Sequence, residues 1–262
     1  QDNARLQREK LLRDYPLNAT LWWLNWFDGR SESALAQWRG LCQGRDVNAL
    51  MTAGQLINWG MPALAADMLN ALDCQRTLPL YLQASLLPKA ERGELVVKAI
   101  DAFPQFVRFP NTLEEVVALE SIEECWFARH LLACFYYNKR SYGKAIALWQ
   151  RCVEMSPEFA DGWRGLAIHA WNKQHDYELA ARYLDNAYQL APQDARLLFE
   201  RDLLDKLSGV TPERRLARLE NNLEIALKRD DMTAELLNLW HLTSQADKAA
   251  DILATRKFHP WE

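Results

Sequence analysis

The chain has 262 residues, 49% of them hydrophobic, and a formal net charge of −4 built from interspersed acids and bases. A chain of this size buries enough apolar surface to fold unaided, and without a Lys/Arg-rich run it is not built to grip a phosphate backbone, so nucleic acid is excluded as the main partner. No apolar stretch approaches the roughly 20 residues that cross a bilayer, and the polar start at Gln1 lacks the apolar core of a signal peptide, so no membrane partner and a cytoplasmic location are expected.

In chain order, Ala4 to Tyr15 reads as the second helix of a hairpin whose first helix is missing, because Pro16 precedes Trp22 by the six residues that separate Pro157 from Trp163. Three irregular hairpins follow: Leu21–Asp28 with Ser33–Cys42, Val47–Trp59 with Pro62–Leu72, and Leu78–Leu87 with Gly93–Phe103. Gly60 before Met61 and Pro62 is a stop-then-start signal. The segment from Pro104 to Pro110 breaks the helical period, and Thr112-Leu-Glu-Glu115 then reads as a capping box that opens a new helix.

From here the period becomes regular, at about 34 residues. The unit of about 126–159 carries Leu132, Ala133 and Tyr136 on its first helix and Ala145, Trp149, Cys152 and Pro157 on its second. The unit of 160–194 answers with Trp163, Leu166, Ala167 and Ala170, then Ala180, Leu184, Ala187 and Pro192, with one extra residue in the Asn172 to Tyr177 turn. Two antiparallel helices approach closely only where both are small, which Ala133 with Ala145 and Ala167 with Ala180 supply. A third unit, 195–229, keeps Leu198 and opens its second helix at Thr211-Pro212-Glu213, but it lacks the small pair. The fourth, 230–262, returns to pattern with Leu236, Leu237, Trp240, Ala249 and Leu253. The expected fold is all-α: antiparallel helical hairpins stacked into a right-handed TPR-like superhelix, an α-solenoid. Residues 1–104 form its irregular part and 105–262 its regular part, in one continuous solenoid.

Ala145-x3-Trp149, Trp163-Arg164-x-Leu166-Ala167, Leu198-Phe199-Glu200, Arg229-Asp230-Asp231 and the closing Arg256-Lys-Phe-His-Pro-Trp-Glu262 resemble, in this order, the C-terminal tetratricopeptide region of large bacterial YphG-like proteins. The resemblance is best from about Phe109 onward. It implies that the chain is a piece of a longer protein, cut inside a shared motif, whose N-terminal part is a domain of unknown function with a carbohydrate-active look.

In such arrays the first helix of each hairpin lines a concave surface. By this register Phe127, His130, Cys134 and Tyr137, then Arg164, Ile168 and Trp171, then Arg196, Phe199 and Leu203 face it. An aromatic groove with two arginines suits a peptide or an acidic tail. Trp22, Trp23 and Trp26 form a second aromatic cluster, in which Trp22 holds the repeat's own core position and the other two are freer to stack on a sugar or a partner. The five cysteines, Cys42, Cys74, Cys125, Cys134 and Cys152, read as reduced thiols, with Cys134 and Cys152 buried. The five histidines show no metal spacing, the Glu114/Glu115 and Glu120/Glu123/Glu124 groups read as caps and solvated acids, and no local spacing couples a cysteine to a histidine. No cofactor, metal or catalytic residue is expected. The reading is a non-catalytic protein-interaction or intramolecular scaffold module, docking on the upstream domain of its own protein or on a second one. The alternative is a module that lends Trp and Arg wall or lid residues to a carbohydrate-active site in that domain. Uncapped ends predict self-association.

Overall fold

The computed structural model describes residues 2–29, 31–42, 46–72, 76–102 and 108–259, and among them it is all α, with seventeen α-helices and no strand. Cys74, Phe103, Pro104 and the Pro260-Trp261-Glu262 end of the tail lie outside the described residues. The helices gather into two compact units, Gln1–Phe135 and Tyr136–Glu262.

The first unit holds α1 (Asp2–Asp14), α2 (Ala19–Gly29), α3 (Glu32–Cys42), α4 (Asp46–Asn58), α5 (Pro62–Leu72), α6 (Thr77–Ser85), α7 (Gly93–Asp101), α8 (Leu113–Glu120) and most of α9 (Trp126–Asn138). Helices α2 with α3, α4 with α5, and α6 with α7 pair as hairpins, and the first helices α2, α4, α6 and α8 touch in succession. The second unit holds the end of α9, then α10 (Tyr142–Met155), α11 (Ala160–His169), α12 (Tyr177–Leu190), α13 (Ala195–Leu207), α14 (Pro212–Glu220), α15 (Leu223–Ala226), α16 (Asp230–Leu242) and α17 (Ala246–Thr255).

One turn chemistry closes four of the first helices. Gly60 has φ +76°, its N–H donates to Ile57 O at 2.9 Å, and Met61 N donates to Leu56 O at 2.9 Å. This is the Schellman pair of bonds, which needs a left-handed residue just past the helix. Arg140, Gly209 and Ser244 close α9, α13 and α16 with the same two bonds and positive φ. The hairpin of α11 and α12 departs from this because of its one extra residue. There Ala170–Gln174 forms a π-helical turn, His175 takes φ 55°, and Asp176 N reaches back to Ala170 O at 3.1 Å. An insertion absorbed as a π-turn leaves both helices in register with their neighbours.

The matched Pro-to-Trp spacings make the same bond. Trp22 Nε1 donates to Pro16 O at 2.7 Å and Trp163 Nε1 to Pro157 O at 2.8 Å. Both indoles stay half-buried, which corrects the expectation that Trp22 is the core member of its cluster. Trp23 is the one with no exposure, its ring centroid 4.6 Å from Trp26 and 5.2 Å from Trp38. At Thr112 the capping box is present: Glu115 N donates to Thr112 Oγ1, and Glu115 Oε2 accepts from Thr112 N at 3.1 Å and Asn111 N at 2.7 Å. Cys42, Cys125 and Cys152 are buried and form no disulfide among the described residues, whereas Cys134 is only half-buried.

In the second unit Ala167 and Ala180 sit in one core cluster with Leu184, Ala187, Leu197 and Leu204. The third hairpin replaces the small pair by charge. Asp202 stands 35 residues after Ala167 and Arg215 stands 35 after Ala180. Arg215 Nε and Nη2 donate to the two oxygens of Asp202 at 3.1 and 2.6 Å, with both residues buried. Arg215 Nη2 also meets Glu235 at 2.6 Å, and Glu235 takes Lys206 on its other side. The second helix of this hairpin also breaks after Glu220 and resumes as the short α15, which the spacing did not indicate. Two of the runs that carry the family resemblance meet in space: Asp230 accepts from Arg256 Nε at 3.0 Å and Nη2 at 2.6 Å, and from His259 N at 2.5 Å. The segment after α17 is thereby held to the start of α16.

Candidate functional site: the first-helix faces

In the first unit, Phe127 has no exposure. Its ring lies 6.5 Å from Tyr81 and is stacked at 6.0 Å and 14° on His130, itself buried. Both are packing residues, so the register that brought them to an open groove is corrected. One contact was missed: His130 Nε2 lies 3.6 Å from Cys134 Sγ. The signal for it is the spacing of four on one helix, which puts both side chains on the same face.

One open groove of this unit lies between α4, α6 and α8, about 300 Å³ in volume and lined by Ile57, Leu82, Leu86, Leu113, Val117 and Ala118. Asn58, Glu114, Ser85 and Ser121 are the polar residues of its lining. Leu113 and Val117, one turn apart on α8, are 74% and 54% exposed.

In the second unit, Tyr137 belongs to a ring cluster: Tyr142 at 5.1 Å, Trp149 at 5.3 Å and His169 at 6.3 Å between centroids. Burial pushes the Tyr137 hydroxyl up from its ordinary range. The π-turn brings Lys173 Nζ over the Tyr142 ring at 4.8 Å. His169 is held toward its neutral form, first by burial and then by the Lys173 ammonium. An unfolded histidine titrates near about 6.5, so on acidification the unfolded chain takes up this proton before the folded one does. Stability present above that pH is therefore lost as pH falls below it. With Lys173, Tyr137 and Tyr142 unchanged, His169→Gln is expected to flatten the fall of the urea midpoint between about pH 7 and pH 5. An equally steep fall in the variant would place the acid sensitivity in other groups.

Arg164 and Arg196 are not free cations. Arg164 Nε and Nη2 meet Glu200 Oε1 at 3.0 and 2.5 Å, and Nε also reaches Oε2 at 2.8 Å. Arg196 Nη2 meets Asp161 at 2.8 Å and Asp194 at 2.9 Å. These pairs stitch α11 to α13, and the carboxylates spend the charge that an acidic tail would need. Phe199 lies under the Arg229 guanidinium at 5.6 Å, and Arg229 is itself paired with Asp231 at 2.6 Å. Trp171 is half-buried against the core of α11 and α12. The structure thus brings Arg164, Arg196 and Phe199 onto adjoining helices with acidic partners that spacing alone did not pair to them. Among the described residues no group of three or more His, Cys, Asp or Glu side chains is placed to hold a metal ion, and no helix is long and apolar enough to cross a membrane.

No protein-family model matches the chain. Among solved structures it is similar to a chain of the APC/C hetero-tetramer Cut9-Hcn1, at 15% identity and TM-score 0.42 over 89% of this chain and 45% of that one. It is also similar to the TPR domain of P58(IPK), at 17% identity and TM-score 0.42 over 96% of this chain and 68% of that one. A third is YrrB, described as a TPR protein with an unusual peptide-binding site, at 18% identity and TM-score 0.35 over 74% of this chain and 97% of that one. The chain spans less than half the length of the first of these.

Proposed function

We propose that this chain is a non-catalytic, TPR-like hairpin module that holds another protein surface against its first helices, either a separate partner or the upstream domain implied by the family resemblance. The observation that carries this is the make-up of the α11 and α13 face. Ile168, Trp171, Phe199 and Leu203 recur at helical spacing and are all half-buried, while the charges beside them are already neutralised in pairs. An apolar, ring-bearing stripe whose polar groups are satisfied suits a protein contact, since the core of such contacts is poor in free charge and rich in aromatic residues. The carbohydrate-wall alternative asks for Arg164 and Arg196 as sugar donors, and Nε and Nη2 of Arg164 and Nη2 of Arg196 already serve Glu200, Asp161 and Asp194. The uncovered Leu6 and Leu11 of α1, and Leu253 of α17, extend the reading to self-contact.

Photo-crosslinking tests the face directly. A photoreactive residue in place of Trp171 or Phe199 is expected to capture protein partners in cells, and one at exposed Glu178 on α12 is expected to capture few. Equal capture at all three positions would overturn the assignment of the face.

A further inference from the structure

In the second unit Arg164, Arg196, Arg201, Arg215 and Arg229 are each paired with a carboxylate. Three cations that stand together are not. Arg140 lies in the turn between α9 and α10, Lys144 in the first turn of α10 and Lys173 in the π-turn after α11, and all three are exposed. Among the described residues none of them meets a carboxylate. The two ammonium groups lie over rings instead, Lys144 Nζ 4.9 Å from the centroid of Tyr136 and Lys173 Nζ 4.8 Å from that of Tyr142.

The rings also bring the two turns together. Tyr137 lies 5.1 Å from Tyr142, and their rings are 6.3 and 6.2 Å from that of His169, the last residue of α11 before the π-turn. Arg140 and Lys144 are four residues apart, which holds their Cα atoms within about 14 Å of each other.

The needs of the fold do not account for these charges. The end of α9 is closed by its own backbone, Arg140 N donating to Tyr137 O at 3.0 Å and Ser141 N to Tyr136 O at 2.8 Å, so the Arg140 side chain is not required there. Lys144 stands in the first turn of a helix, where the macrodipole favours an acid. That turn holds no acid, and the Ser141 side chain makes no capping bond, so the positive end of α10 adds to the three cations. In a chain of net charge −4, this corner is a local excess of positive charge that no neighbouring acid offsets.

We propose that this corner of the second unit binds an acidic segment of a partner protein, whose successive carboxylates meet Arg140, Lys144 and Lys173. Point charges carried on two separate turns suit carboxylates spaced along a chain better than one compact anion, and there is no Lys/Arg run to track a phosphate backbone. Each contact is exposed and weak alone, so the charges act by their sum and by steering the encounter. The inference rests on the protein-interaction reading but uses residues other than Ile168, Trp171, Phe199 and Leu203.

The test is fluorescence anisotropy of the whole chain with a labelled octapeptide alternating glutamate and glycine, at about 50 mM and about 300 mM salt. Binding is expected at the lower salt and should weaken at the higher. Lys144→Gln and Lys173→Gln are each expected to weaken it about threefold and together about tenfold. Arg182→Gln removes an equally exposed charge from α12 and is expected to leave it unchanged. Carbodiimide coupling of the peptide to the parent chain needs no variant, and its amide links are expected on Lys144, Lys173 and the adjacent Lys139. No binding at the lower salt, an Arg182→Gln loss equal to that of Lys173→Gln, links formed as readily at Lys10, Lys98 and Lys228, or equal affinity for a single-stranded oligonucleotide of the same charge would each overturn the proposal. If it fails while Trp171 and Phe199 still cross-link to partners, the basic corner alone is lost; if cross-linking fails too, the interaction reading goes with it.

Discussion

Arg215→Ala is expected to cost about 3–5 kcal/mol of unfolding free energy, because it strands the carboxylate of Asp202 in a site that is only 2% exposed. Asp202→Ala should cost less, since Arg215 keeps Glu235 at 2.6 Å. The informative variant is the double one. With alanine at both positions the third hairpin acquires the small pair that Ala167 and Ala180 give the second, and no buried charge is left without a partner. Glu235 retains Lys206 at 2.9 Å. The double variant is therefore expected to recover at least half of the loss caused by Arg215→Ala alone, provided α13 and α14 close over the volume removed. A buried ion pair replaced as a unit is often neutral, whereas half of one is always costly. Urea unfolding of the parent, both single variants and the double variant closes a cycle. Additive losses would mean that Asp202 and Arg215 act independently and that the pair is not what substitutes for the missing alanines.

That exchange of alanines for charge also marks how far spacing could lead. The helices of the first unit fall where the apolar runs and the Gly60 and Thr112 signals put them, because those signals are local: a left-handed residue, a proline, a side chain that reaches three residues back. The insertion between Asn172 and Tyr177 was visible as a count, and its conversion into a π-turn follows from keeping both helices in register. Orientation was less legible. Trp22 and Trp23 differ by one residue, or about 100° around a helix, and the indole that matched the repeat by its bond to Pro16 is not the one that fills the core. Phe127 was assigned to an open face by the same kind of register, and only the rings of Tyr81 and His130 show that this face is covered. The partners of Arg164 and Arg196 come from the neighbouring hairpin some 35 residues away in sequence. A spacing of one repeat in charged residues was the available signal for them. The groove on α4, α6 and α8 had none, since its walls come from three helices of irregular length.

Gly165→Ala should destabilise the chain, although the same change in an unobstructed helix favours folding by about 1 kcal/mol. A Cβ at this position would come within 2.3 Å of Trp149 Cε2, 2.6 Å of Cδ2 and 2.7 Å of Nε1. The indole is 4% exposed and has the Tyr137 ring 5.3 Å away, so it has little room to retreat. Overpacking of this kind costs about 1–3 kcal/mol, enough to reverse the sign expected from helix propensity. The next repeat shows the alternative solution: 35 residues on, Leu184 stands for Trp149 and Glu200 for Gly165, so the smaller core residue goes with the larger facing one. Trp149→Leu alone opens a cavity and is expected to cost about 2–4 kcal/mol. It sacrifices no hydrogen bond seen among the described residues, where Trp149 Nε1 has no hydrogen-bond partner. Combined, Gly165→Ala and Trp149→Leu are expected to cost at least 1 kcal/mol less than the sum of the two single changes, since each removes the other's fault. Thermal or urea unfolding of the three variants decides it. A Gly165→Ala chain more stable than the parent would show that the indole does not rest on this glycine and that the close approach of α10 and α11 is set elsewhere.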